Sequence, residues 1–143
     1  MRALSFGLFL YFIGSPFLMR AQDDSLRNSS SWKIYLATKA QKQLGMDSLN
    51  NLPSGNLNMD SVKFFLSTTT KLPRDQWSVW MGEYICTARL QDDTPRKLIV
   101  SVFGGFFLDP KTMTYYTVSD NVKQRWTAFF HESYALLIKS KDQ

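Results

Sequence analysis

The sequence predicts an α+β fold in which two N-terminal helices precede a three-stranded antiparallel meander and a C-terminal helix packs on the sheet. Three observations carry this. Apolar residues recur at helical spacing over residues 32–44 and 60–66. Tyr84, Cys86, Ala88 and Leu90 alternate with Ile85, Thr87 and Arg89, the period of a half-buried strand. After the β-rich region, Val122, Trp126, Phe129, Phe130, Tyr134 and Leu137 return at three-to-four spacing.

Taken in order, the first helix rests on Trp32, Leu36, Ala40 and Leu44, with Ser30 or Ser31 able to cap its start and Gly45 to end it. Residues 47–58, dominated by Asn, Ser, Gly and Pro, read as a loop. The second helix starts at Asp60 or Ser61, carries Val62, Phe64, Phe65 and Leu66, and ends in Ser67-Thr68-Thr69-Thr70, where β-branched threonines are poor helix formers. Residues 80–91 form the first strand, and Asp92-Asp93-Thr94-Pro95 breaks it. Residues 97–108 form a long second strand in which Gly104-Gly105 marks a bulge or sharp bend. Asp109-Pro110-Lys111-Thr112 suits a type I turn, with Asp at its first position and Pro at its second. Residues 113–118, rich in Thr, Tyr and Val, complete the meander, because short turns between consecutive strands imply antiparallel neighbours. Ser119 or Asp120 can cap the last helix. Residues 124–140 also admit a reading as two further strands, which gives a helix plus curved sheet of the cystatin-like or nuclear-transport-factor-like type on element order alone.

The N-terminus carries the strongest functional signal. Met1-Arg2-Ala3 is a short basic start, and residues 4–19 are uncharged and largely apolar. That run is shorter than the roughly 20 apolar residues a membrane-crossing helix needs, and Gly14, Ser15 and Pro16 interrupt it. Helix breakers there favour the extended conformation that signal peptidase cleaves, and Ala21 before Gln22 supplies a small residue at the cut. The domain layout is therefore a signal peptide over residues 1–21, a flexible polar leader over 22–31 and one α+β domain over 32–143. The expected address is the periplasm, the cell envelope or the secreted space. No stable membrane span remains after cleavage.

Composition bounds the chemistry. The chain has 143 residues and one cysteine, so Cys86 cannot form an intramolecular disulfide even in an oxidising compartment. Four tryptophans point to a packed core. Of the formal charge of +5, Arg2 and Arg20 account for two, leaving +3 for residues 22–143, with acids interleaved among the bases. No basic stripe tracks a phosphate backbone, which argues against nucleic acid.

His131-Glu132 begins the metalloprotease helix pattern, but the second histidine it requires four residues on is Ala135. One histidine in the chain builds no His-based metal cage, and no cofactor motif is present. Cys86 alternates in register with Tyr84 and Ala88, which places it on the apolar face of a strand, and no serine sits in a Gly-x-Ser-x-Gly elbow. Asp23-Asp24 and Asp92-Asp93 fall in a leader and a turn, where solvated turn chemistry accounts for them. Trp126, Phe129, Phe130 and Tyr134 lie at helical spacing and read first as core.

Without a complete catalytic set, the expected function is a non-catalytic binding or assembly module whose partner is another envelope or secreted protein. Two alternatives stand beside it: a small inhibitor of an extracytoplasmic enzyme, and a small hydrolase or isomerase using His131, Glu132 or a buried aspartate in the cone-shaped pocket of a curved sheet. Trp77, Trp80, Met81 and Tyr84 form the first candidate partner surface.

Overall fold

The computed structural model describes residues 25–38, 41, 43–72, 84–102 and 104–143. In chain order these form strand β1 (Ser31–Tyr35), helix α1 (Met46–Leu49), β2 (Ser54–Asn56), α2 (Met59–Ser67) and β3 (Thr70–Lys71). Then follow β4 (Tyr84–Arg89), β5 (Pro95–Ser101), β6 (Phe106–Asp109), β7 (Thr114–Thr117), a 3-10 turn at Asp120–Val122 and α3 (Lys123–Lys141). The strands make one antiparallel sheet in the order β2-β1-β4-β5-β6-β7-β3. The fold is thus α+β, with α2 and α3 on one face of the sheet.

The first expected helix is a strand. Trp32 and Ile34 are buried while Lys33 between them is exposed, a period of two that the four-residue spacing of Trp32, Leu36, Ala40 and Leu44 does not capture. What decides the outcome is distant in sequence: Trp32 pairs with Ala88 and Ile34 with Cys86, so β4 satisfies the backbone that a helix would have satisfied internally. The expected loop over 47–58 holds α1 and β2. Ser54-Gly55-Asn56 has little strand propensity, but it lies in β1's register, with Leu57 N–H donating to Trp32 O at 2.9 Å and Leu36 N–H to Pro53 O at 2.9 Å. The N-terminal part of the fold is therefore two strands around a short helix, followed by α2, in place of two helices.

The meander has four strands rather than three. The long run over 97–108 is divided at Gly104-Gly105, where Gly105 adopts φ +67°, a left-handed conformation that carries little cost without a Cβ. Val100 then pairs with Phe107, so the glycines form a hairpin turn instead of a bulge within one strand. The next turn follows its sequence closely, with Asp109 Oδ1 accepting from Lys111 N–H at 3.0 Å. The C-terminal segment is one 19-residue helix, which overturns the alternative of two further strands.

The leader also contributes to the fold in its described part. Residues 25–27 form a helical turn, Leu26 is buried in the main core, and Ser29 Oγ accepts the indole N–H of Trp32 at 2.8 Å.

α2 matches the sequence reading, with Asn58 as the cap: its side chain accepts from Ser61 N–H at 3.0 Å. The helix joins β2 at one sheet edge to β3 at the other and buries Val62, Phe65 and Leu66 on the way. α3 returns over the same face. Nineteen residues span about 28 Å, close to the roughly 29 Å across seven strands, so one helix covers the sheet. Trp126 is anchored by its indole N–H to Ser101 O at 3.0 Å, and Phe130, Phe107 and Phe65 pack around it. At the other end of the strands, Arg96 Nη1 meets Asp109 Oδ2 at 2.6 Å, with the Asp109 side chain 2 % exposed. Among the described residues no helix is long and apolar enough to cross a membrane.

Candidate functional site

Two adjoining grooves among the described residues lie where β2, α2 and α3 meet. β2 is an edge strand. Hydrogen-bonded pairs alternate along an antiparallel ladder, and the bonds from Leu36 to Pro53 and from Leu57 to Trp32 set that alternation here. The N–H and C=O groups of Ser54 and Asn56 consequently point off the sheet, the arrangement that lets another chain add a strand. Ser54 and Asn56 are themselves exposed.

Beside this edge runs a groove of about 310 Å³ lined by Ile34, Gly55, Phe129, Leu136 and Leu137 among others. Phe129 continues it into a second, shallower groove between α2 and α3, about 470 Å³, with Phe64, Arg125 and Glu132 on its walls. Leu136 is 66 % exposed and Phe64 41 %, both unusual for side chains of that size. The Arg125 guanidinium lies 5.8 Å from the Phe64 ring centroid, a cation–π contact that caps one wall. The sides are polar and of mixed charge, supplied by Asp60, Arg125, Glu132, Ser133 and Ser140. Such a surface can hold an extended polypeptide by main-chain bonds and accept one or two apolar side chains.

The expected sites divide. Ala21 and Gln22, Asp23 and Asp24, and Trp77, Trp80 and Met81 lie outside the described residues. Tyr84 is half-buried and joins the aromatic layer of α3, 4.7 Å from Tyr134 and 6.4 Å from Phe130 between ring centroids, so it packs against the core. His131 and Glu132 are exposed on α3, and the His131 ring meets Tyr84 edge-on. Cys86 is fully buried beneath the helices, and that burial pushes its thiol far above the ordinary range. A thiolate is therefore not available at neutral pH, and Cys86 does not meet the requirement for a nucleophile. Asp92 Oδ1 accepts from Thr94 N–H at 3.1 Å, and the hydrogen bonding with Thr94 holds its carboxyl below the usual value, as turn chemistry requires.

The aromatic stripe splits as well: Trp126 and Phe130 are 1 % exposed, whereas Phe129 is half-buried and forms the hinge between the two grooves. Sequence reasoning missed Phe64, Leu136 and the β2 edge. One signal was present. Leu136, Leu137 and Ile138 are consecutive, and residues 100° apart on a helix cannot all face one core.

Among the described residues no group of three or more His, Cys, Asp or Glu side chains could hold a metal ion. Compared with protein families, curated proteins and solved structures, the chain matches none.

Proposed function

We propose that this chain is an exported, non-catalytic binding or assembly module that recognises an extended segment of another envelope or secreted protein. Residues 1–21 serve as the export signal and residues 22–143 form the working protein. The partner segment adds a strand to β2, and its inward-facing apolar side chains enter the groove beneath Leu136. The observation that supports this most directly is the coincidence of outward backbone groups on Ser54 and Asn56 with an apolar groove immediately beside them. Main-chain bonds supply affinity in this mode, and pockets for alternate side chains supply specificity. The inhibitor alternative uses the same surface with an enzyme as its partner.

Two measurements test the reading. Mass spectrometry of the N-terminus from fractionated cells is expected to find Gln22 first, in an extracytoplasmic fraction; an intact Met1 in the cytosol overturns export. A photo-crosslinking amino acid at position 136 is expected to yield one adduct of fixed stoichiometry that a prolyl substitution at Asn56 removes. Absence of an adduct in every fraction overturns the binding role.

A further inference from the structure

The face of the sheet opposite α2 and α3 carries a cavity of about 160 Å³ where β1 and β4 meet α1. Alternation along β1 puts Ser31, Lys33 and Tyr35 on this face, since Trp32 and Ile34 enter the main core. Alternation along β4 likewise puts Thr87 and Arg89 there, because Cys86 and Ala88 belong to that core. Register brings the two sets together, with Lys33 directly across from Thr87 and Ser31 across from Arg89. α1 and the residue after it close one side with Asp47 and Asn50. That side is tied to the sheet: Leu49 packs with Tyr35 and Ile85, and Lys97 Nζ donates to Leu44 O at 2.9 Å.

The buried part of the lining has a donor left over. Tyr35 is 5 % exposed and Thr87 7 %, and their hydroxyls share one hydrogen bond of 3.1 Å. Each hydroxyl carries one proton, so whichever group donates, the other's proton has no acceptor among the described residues. Buried polar groups are satisfied in nearly all proteins, and the adjoining cavity is where an acceptor fits. The exposed Lys33 ammonium makes no ion pair among the described residues. Arg89 is held through Nη1 alone, which donates to Asp93 Oδ1 and to Asp93 O, each at 3.3 Å, so its remaining nitrogens are available to a second acceptor. Two lining cations, Lys33 and Arg89, against the one lining carboxylate, Asp47, leave a surplus of one positive charge.

We propose that this cavity binds the carboxylate of a small monoanionic organic acid, with Lys33 and Arg89 taking its charge and the Tyr35–Thr87 hydroxyl pair donating to it. Charge-assisted bonds of this kind are the strong ones. At about 30 Å³ per water, a volume of 160 Å³ holds roughly five waters, which suits an acid of five to eight heavy atoms. A monoanion also matches the surplus charge better than a phosphate dianion does. The same carboxylate chemistry is offered by a free acid and by the C-terminal residue of a polypeptide.

Titration of the ¹⁵N-labelled protein tests the assignment. Lactate is expected to move the amide resonances of residues 31–35, 46–50 and 87–89 saturably, and lactamide, its neutral isostere, is not. Lys33→Gln should weaken lactate about ten-fold by removing a charge-assisted bond, and Asp47→Asn should tighten it about three-fold by removing the opposing charge. Both positions are exposed, so both variants keep the fold. Acetyl-Ala-Ala separates the two sources of the carboxylate: tighter binding than lactate at these residues supports the site with a polypeptide C-terminus as its ligand, and weaker binding supports it with a free acid. Absence of shifts with lactate, equal shifts with lactamide, tighter binding of inorganic phosphate, or an unchanged lactate affinity in Lys33→Gln overturns the proposal.

Discussion

The two faces of this sheet are built on different principles. On the helix face, α2 and α3 bury a continuous aromatic layer in which Trp32, Phe107, Trp126 and Phe130 are each at most 1 % exposed. On the other face, Leu49 of the four-residue α1 packs with Tyr35 and Ile85 in a small cluster that gives way to half-buried side chains. Adjacent residues of β4 show the contrast directly. Cys86 enters the aromatic layer with no polar partner needed, while Thr87, one residue on, points the other way and shares a 3.1 Å hydrogen bond with Tyr35 Oη. Among the described residues, then, the sheet centre is sealed on the helix side, while β2 and the outer ridges of α2 and α3 keep exposed surface.

The sharpest way to break this comparison is to truncate one residue on each face. Phe130→Ala should cost about 3–5 kcal/mol in chemical denaturation, because it opens a cavity among packed rings, whereas Leu108→Ala should cost less than about 2 kcal/mol from its partial burial. Equal losses would mean that the two faces are equivalent. Asp109→Asn should cost about 3 kcal/mol by the same assay, since it leaves the Arg96 guanidinium at the sheet end without its charge partner; among the described residues Arg96 Nε already has no hydrogen-bond partner. Leu49→Ala, in α1, should cost about 2–3 kcal/mol and should leave the near-ultraviolet signal of the tryptophans in place, which separates the small cluster from the main core.

Smaller effects belong to the turns. Met113 holds φ +51° and is exposed, so Met113→Asn should raise the thermal midpoint by the equivalent of up to about 1 kcal/mol, as asparagine tolerates that conformation better. The carboxyls of Asp92 and Asp120 are held below their usual values by hydrogen bonds with Thr94 and Lys123 respectively. A depressed folded-state value stabilises above the ordinary carboxylate range and loses that contribution as pH falls through it, below about pH 4. Both groups are fully exposed, so Asp92→Asn with Asp120→Asn should flatten the acid limb of a stability profile only slightly; a large change would show that these turns carry more of the fold than their exposure allows.

Local chemistry made α2, α3, the strand at Tyr84–Arg89 and the Asp109 turn readable, because each is specified by residues within a few positions of one another. Asn58, Asp109 and the periodic apolar residues act over one turn or one strand. The misreadings share the opposite cause. Ser31–Tyr35 is short enough to fit either period, and Ser54–Asn56 has no propensity of its own; both exist because β4 and β1 offer ladders more than 20 residues away or across a loop. The candidate site was hidden for the same reason, since an edge strand is defined by what fails to pair with it.

By itself, then, the sequence determined the α+β class and the burial of Cys86, both of which follow from periodicity and residue chemistry at short range, while the choice between a C-terminal helix and two further strands was left to the structure. Only the tertiary structure decided the number of strands, the identity of the edge and the place of the groove. Those depend on backbone groups finding partners far along the chain, and any residue with a free N–H and C=O can supply such a partner, so side-chain identity leaves the choice open until the sheet assembles.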